Sequence, residues 1–207
     1  LTTPPLISFL GAILCRIKGG RLIYWVMDMN PDEAVAAGWL RADGLPTRVL
    51  EWMSRFSMRT ARHVVVLDRF MKARVAAKGV DEECVAVVPP WVQRGTVRYD
   101  ESGREGFRKR HGLADKFVVM YSGNHSPCHP LDNLIDAARL LKDDSSTVFC
   151  FVGGGSEHRK IQKLSATEGL ENVVCLPYQP LAELSASLSA ADLHVVVMGN
   201  PFVGTIH

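Results

Sequence analysis

The sequence predicts an α/β protein built on parallel sheets. Three observations carry this. Short apolar runs of strand length recur along the 207 residues: LIYWVM from Leu22, HVVVL from His63, VAVV from Val85, FVVMY from Phe117, TVFCFV from Thr147, VVCL from Val173 and LHVVVM from Leu193. Segments with apolar residues at helical spacing lie between most of them. Several runs also end directly in Gly- or Pro-bearing turns, as buried parallel strands do where they pass to a crossover helix.

In the first half, Thr3 can cap a helix with Pro4 or Pro5 in its first turn. Leu6, Leu10, Ile13 and Ile17 follow at helical spacing, but Ile7, Phe9 and Leu14 make most of that surface apolar. The preferred reading is a helix packed on a sheet. The competing one rests it on a membrane surface, with Arg16, Lys18 and Arg21 at the headgroups. After the strand at 22–27 comes Asp28-Met29-Asn30-Pro31-Asp32. Residues 47–59 form a helix expected to turn Val49, Leu50, Met53 and Phe56 inward. Asp68 stands at the end of the second strand, and a helix over 69–78 is stopped by Gly79. The third strand ends at Pro89-Pro90.

Residues 94–116 carry no strand pattern. They read as a linker with one short charged helix over 105–111, ended by Gly112. Beyond it the alternation is cleaner. Leu131, Leu134, Ile135, Ala138 and Leu141 mark one helix stripe, Ile161 and Leu164 a second that Ser156 would cap, and Leu181, Leu184, Leu188 and Ala191 a third begun by Pro180. The last strand run, 193–198, contains His194, expected to be a satisfied core histidine.

Composition narrows the functional classes. Apolar content of 47% and charged content of 22% are those of a soluble globular protein. A net charge of +2 gives no reason to expect nucleic acid. The cluster Arg104, Arg108, Lys109, Arg110 reads as a solvated helix face. Five cysteines without a C-x-x-C pair favour reduced thiols in a cytoplasmic protein. The longest apolar run, from Leu6 to Cys15, is about half of what a membrane span needs. Both ends read as cut, one just before a helix and the other within a loop.

The turn chemistry points to an anion. Phe117-Val118-Val119-Met120-Tyr121 runs into Ser122-Gly123-Asn124, and Phe151-Val152 into Gly153-Gly154-Gly155. Such junctions aim backbone N–H groups and a helix N-terminus at one point, which suits phosphate. Neither loop matches a dinucleotide fingerprint or a Walker pattern. His125, Cys128 and His129 supply three possible ligands within five residues, but no second cluster completes a zinc site, and no metal is expected. Asp28 and Asp32 are equally readable as acid/base groups or as a strand-end turn with a helix cap.

These residues together resemble a known family. TTPP from Thr2, YWVMDMNPDEA from Tyr24, VVVLDRFMKARV from Val64, VVPPWV from Val87, FRKRHGL from Phe107, FVVMYSGN, FVGGGSEHRKIQKL from Phe151, the long stretch from Asn172 to Val197 and GNPFVGTIH from Gly199 are similar, in order and spacing, to retaining glycosyltransferases of the GT-B fold, family 4 group. The nearest likeness is to bacterial enzymes of polysaccharide and lipid-linked glycan assembly.

The resemblance implies two Rossmann-like domains, each incomplete here: an acceptor-side domain over 1–93, the linker 94–116 and a donor domain over 117–207. It implies transfer of a sugar from a nucleoside diphosphate to a glycan or lipid-linked acceptor with retention, with no cofactor or obligatory metal. Donor contacts would come from Gly123, Asn124, His125, Gly153, Gly154, Tyr178, Gln179, Pro180, Leu181, Phe202, Gly204 and Thr205. Asp28 and Asp32 would border the acceptor. A cytoplasmic location follows, with the N-terminal helix as the contact for peripheral membrane binding. The basic residue relatives often place after the first glycine turn is replaced by His125 and His129. The family's pair of donor-binding glutamates lies on a helix beyond Thr205, outside this sequence, so the 207 residues alone are expected to be inactive. A nucleotide-sugar epimerase of the same fold, or a non-catalytic nucleotide-binding remnant, is the alternative.

Overall fold

A computed structural model describes residues 7–91 and 95–206. The features read at Thr3, Pro4, Pro5 and Leu6, and the motif residues Val92 and His207, lie outside these. By its contacts the chain divides into two units, residues 7–91 with 200–206, and residues 95–199.

The first unit holds α1 (Ile7–Lys18), β1 (Ile23–Trp25), α2 (Asp32–Ala36), α3 (Leu45–Thr60), β2 (His63–Val66), α4 (Arg69–Ala77) and β3 (Val85–Val87). Its three strands lie in the order β1-β2-β3, all parallel. Val26, Met29, Met58, Val64, Val66, Met71 and Val75 form the core. Asp68 caps α4, its carboxylate accepting from the Met71 N–H at 2.7 Å, and Gly79 with φ 88° follows the helix end.

Helix α3 is rotated from its expected setting. Val49 is exposed, while Thr47, Ser54, Ser57 and Met58 are buried. The larger apolar side meets α1 instead, where Phe9 lies 5.4 Å from Phe56 and 5.6 Å from Trp52 between ring centroids. The small polar residues fill the buried side, where a hydroxyl can satisfy itself locally. Ser57 Oγ, for example, donates to the Met53 carbonyl at 2.8 Å.

The second unit holds α5 (Glu101–Arg110), β4 (Phe117–Asn124), α6 (Asp132–Leu140), β5 (Thr147–Gly154), α7 (Ser156–Glu168), β6 (Val173–Leu176), α8 (Leu184–Ser189) and β7 (Leu193–His194). The strand order β6-β5-β4-β7, all parallel, leaves β4 and β5 in the middle. Alternate residues of these strands feed two cores. Val119, Tyr121, Phe149 and Phe151 meet Ile135 and Ala138 of α6 and Ile161 of α7. Val118, Met120, Val148, Cys150 and Val152 meet Phe107 of α5, Leu113 and Ala190. Strands buried on both faces are why these runs read as continuously apolar.

Four expectations for this unit need correction. Helix α5 starts at Glu101, capped by Asp100, and is part of the second core, with Phe107 fully buried. Lys109 and Arg110 are exposed as expected, but Arg104 and Arg108 are not part of a solvated face. Arg104 and Arg108 both grip Asp192, at 2.5 and 3.1 Å, and Arg108 is only 7% exposed. The run 193–198 pairs with β4 only at Leu193 and His194 and ends the sheet as an edge. His194 there is exposed, its Nε2 lying 2.8 Å from the Leu188 carbonyl.

Amide protection should follow strand length and cover. The eight-residue strands β4 and β5 are flanked on both faces, so their amides should exchange slowest. Those of the three-residue strands β1 and β3 should exchange faster. Hydrogen exchange showing equal protection in both sheets would contradict this.

Candidate functional site

The carboxyl ends of β4 and β5 bring the two glycine turns side by side. The strands stay in register to their last residues, pairing Gly123 with Gly153 and Asn124 with Gly154. The turns need their glycines for different reasons. A Cβ on Gly153, whose φ is 141°, would fall 1.9 Å from the Gly123 carbonyl oxygen. One on Gly155, φ 127°, would fall 2.4 Å from the His125 carbonyl oxygen. A Cβ on Gly123 would meet nothing nearer than the Tyr121 hydroxyl at 3.8 Å, so that position faces open space. Gly155, not Ser156, is the N-cap residue of α7, and the Ser156 hydroxyl turns to Glu157 instead. The thirteen-residue helix therefore opens directly at the turn.

Asn124 and His125 are built in differently. Tyr121 donates its hydroxyl to the Asn124 carbonyl at 2.9 Å, and burial pushes that phenol up to about 12. The Asn124 side chain reaches Tyr178 Oη at 3.5 Å. His125 was expected to face the ligand as a polar group of the turn, yet its side chain is 0% exposed. Its backbone N–H donates to the Gly154 carbonyl at 2.8 Å, and its carbonyl accepts from the Glu157 N–H at 3.1 Å. Its Nδ1 lies 3.0 Å from the Gly123 carbonyl, and its Nε2 is buried without a hydrogen-bond partner. The ring packs edge-on to Tyr121 and to His158, a buried histidine of α7 that sequence patterning gave no reason to single out.

Burial above all, then the neighbouring His158 and more weakly His129, lower the His125 imidazole from 6.5 to about 4, against the pull of backbone carbonyls. The neutral ring belongs to the folded state, so the unfolded chain binds the extra proton. This contribution to stability is complete above about pH 6.5 and is withdrawn as pH falls toward about 4. Between those pH values the folded state should lose at most about 3 kcal/mol from this group. Denaturant melts of His125→Phe should show a shallower pH dependence than the parent chain over that range. An unchanged dependence would assign the acid sensitivity elsewhere.

The other expected donor residues fall into two places. Tyr178 stands against Gly154, with a Cβ there only 3.0 Å from its ring, and Gln179, Pro180 and Leu181 continue from it around the edge. Phe202, Gly204 and Thr205 belong to the first unit. The Thr205 carbonyl accepts from the Met29 N–H at 2.7 Å, and Gly204 lies against the Phe70–Met71 backbone, where a Cβ would be 2.8 Å away. Phe202 and Thr205 are buried there.

Asp28 stands half-buried after β1, and its charge adds to burial in raising the pKa values of Tyr24 and Glu33. Asp32 is held in an ion pair. Lys78, almost fully buried, bridges Asp32 at 2.7 Å and Glu51 at 2.6 Å. Burial would raise the Glu51 carboxyl, but Lys78 and Arg55 outweigh it and lower it. Asp32, Glu51, Arg74 and Lys78 line a cavity of about 560 Å³ in this unit. Among the described residues, no three potential metal ligands converge. His129 Nδ1 lies 2.8 Å from the Val197 carbonyl, and the His125 ring is turned inward.

Residues 103–200 match the family described as Glycosyl transferases group 1. This segment is related to the group 1 glycosyltransferases. The chain is 27% identical over 190 residues to WcaI of Escherichia coli (strain K12), a glycosyl transferase assigned to colanic acid biosynthesis, covering 89% of this chain and 46% of WcaI. It is 24% identical over 203 residues to WbjE of Pseudomonas aeruginosa, also assigned as a glycosyltransferase, covering 98% and 50%. The chain thus spans about half the length of these curated relatives. Among solved structures it resembles Anabaena Alr3699/HepE in complex with UDP, with a TM-score of 0.73 and 19% identity over 96% of this chain and 54% of that one. It also resembles WaaG, a glycosyltransferase involved in lipopolysaccharide biosynthesis, with a TM-score of 0.66 and 20% identity over 83% and 49%. The fold is therefore α/β with parallel sheets, similar to that of GT-B glycosyltransferases.

Proposed function

We propose that the whole protein transfers a sugar from a nucleoside-diphosphate sugar to a hydroxyl of a glycan or lipid-linked acceptor, with retention of anomeric configuration. The observation that carries this is the in-register pair Gly123–Gly153 at the mouth of α7, inside the segment related to the group 1 glycosyltransferases. Backbone N–H groups and the helix N-terminus there suit the diphosphate, whose developing charge is what the reaction must stabilise. Asn124, His125, Gly154, Tyr178, Gln179, Pro180 and Leu181 surround that edge in the proposal. Phe202, Gly204 and Thr205 are kept as donor residues only on the family resemblance, since they pack within the first unit. Asp28 and Asp32 are assigned to the acceptor side, Asp32 as a wall of the cavity with its carboxylate engaged by Lys78 at 2.7 Å. Neither the epimerase nor the remnant reading gains support, since the matched relatives are glycosyltransferases.

The test is calorimetric titration of the full-length protein with UDP and GDP, compared with its Gly123→Ala variant. That variant has room for the methyl group, so despite backbone strain at its φ of 159° it should stay folded yet bind the preferred nucleotide at least about tenfold more weakly, a loss of about 1.4 kcal/mol. Equal affinity would move the donor away from this turn. Transfer to an acceptor is to be assayed on the full-length protein.

The proposal includes peripheral membrane contact through α1. Among the described residues, no helix is long and apolar enough to cross a membrane. Helix α1 packs on α3, yet Leu14 and Ile17 are 58% and 71% exposed beside Arg16, Lys18 and Arg21. An exposed apolar stripe rimmed by cations fits an anionic lipid surface. The chain should sediment with phosphatidylglycerol vesicles, and Leu14→Glu with Ile17→Glu should abolish this. Equal sedimentation of the double variant would remove α1 from that role.

A further inference from the structure

We infer that His125 is a positioning residue for the donor's phosphates, its buried ring locking the β4 glycine turn to the β5 turn and to the first turn of α7. This rests on the reading of that turn pair as the donor site.

The main chain of His125 already joins three elements. Its N–H reaches the Gly154 carbonyl after β5, and its C=O takes the N–H of Glu157 in α7. These bonds fix the backbone after Asn124, where β4 and β5 are still paired. The ring adds a further tie, Nδ1 to the Gly123 carbonyl at 3.0 Å. A carbonyl only accepts, so Nδ1 must carry the proton, and Nε2 is the bare nitrogen. That nitrogen is buried with no hydrogen-bond partner. The titratable groups around the ring are Tyr121 of β4, His158 of α7 and, more distantly, His129 of the following loop. Phe151 of β5 completes the surround.

A hydrocarbon side chain would fill this space without an orphaned nitrogen, so stability alone does not account for histidine here. What leucine or phenylalanine cannot do is donate to Gly123. The same carbonyl oxygen is the atom that a Cβ on Gly153 would strike, so the bond holds that oxygen in place where the two turns approach most closely. A phosphate-binding pair of turns depends on such spacing, because small misplacements of oriented donors weaken the site sharply.

Two substitutions separate positioning from packing. His125→Asn places an amide N–H near the Nδ1 position but leaves a void. His125→Leu fills the space and removes the donor. With UDP as the probe and the variants made in the full-length protein, affinity should fall at least tenfold in His125→Leu and stay within about threefold of the parent in His125→Asn. Melting temperatures should run the other way, with His125→Leu at or above His125→Asn. A merely structural role would move affinity and stability together, and equal UDP affinity in the parent and His125→Leu overturns the proposal. Ring nitrogen NMR of the parent chain should show the neutral, Nδ1-protonated tautomer, and an Nε2-protonated ring also overturns it. If the full-length protein binds neither UDP nor GDP, the donor-site reading fails by itself. Amide exchange at Gly123 and Asn124 then decides the lock: faster in His125→Leu than in His125→Asn sustains it, and equal rates refute it.

Discussion

Asp192→Ala is expected to destabilise the second unit by about 2–4 kcal/mol, lowering its melting temperature by roughly 10 °C or more. The carboxylate at the start of β7 gathers one end of the unit. It accepts the Val118 N–H of β4 at 2.8 Å, Arg104 at 2.5 Å and Arg108 at 3.1 and 3.3 Å. The Asp192 N–H returns a bond to the Val118 carbonyl at 2.9 Å. Burial would raise the Asp192 carboxyl, but these donors outweigh it and hold it below its ordinary value. Its contribution is present above the unfolded value near pH 3.8 and is lost as acid drives the pH through the lower folded value.

Removing the carboxylate strands two guanidinium groups. Arg108 keeps the Leu113, Ala190 and Lys116 carbonyls, and Arg104 keeps those of Ser189 and Ala191, but neither keeps a counter-charge in the network. Arg108 is buried, which makes the unpaired charge costly. The exposed pair Arg110–Glu183, at 2.7 Å with both side chains about half exposed, is the control. Glu183→Ala should cost less than about 1 kcal/mol. Urea melts that give both variants the same small loss would mean that the Asp192 network contributes no more than a surface pair.

The contrast between these two pairs explains what could be read from the residues and what could not. Continuous apolar runs announced β4 and β5 because both faces of each strand are buried. The same signal overstated β7, because Val195, Val196 and Val197 follow an edge strand that pairs with β4 only at Leu193 and His194. The residue pattern puts the start of α5 four residues late, since Glu101-Ser102-Gly103-Arg104 has no apolar stripe and its start is marked only by the capping carboxylate of Asp100. Arg104 and Arg108 read as solvent-facing because a charge run carries no sign of a partner more than eighty residues away. At the site, Gly123, Gly153 and Gly154 were legible as turn chemistry. The inward turn of His125 onto His158 was not, since neither residue belongs to a local pattern. Phe202, Gly204 and Thr205 were grouped by sequence order with the second unit, whereas tertiary hydrogen bonds seat them in the first.

Gly153→Ala should be the most damaging single substitution at the candidate site. Its φ of 141° lies where L-residues rarely go, and the added Cβ would sit 1.9 Å from the Gly123 carbonyl oxygen and 3.1 Å from His125 Nδ1. The first of these is backbone in the middle of the sheet, so no side-chain rotation relieves it. The turns must separate, which breaks the last Gly123–Gly153 and Asn124–Gly154 pairings and the His125 ring's bond to Gly123. A cost of about 3–5 kcal/mol is expected, in the range of the most disruptive substitutions. Gly123→Ala adds the same methyl group in register across the sheet, but toward open space, so only the backbone strain at its φ of 159° remains and the cost should be smaller, about 1–2 kcal/mol. Both should lose nucleotide binding, one by deforming the turns and the other by occupying the space in front of them. Urea melts and UDP titrations on the two variants distinguish these causes. If Gly153→Ala melts like the parent chain, the close approach of the two turns is not what holds this edge of the sheet.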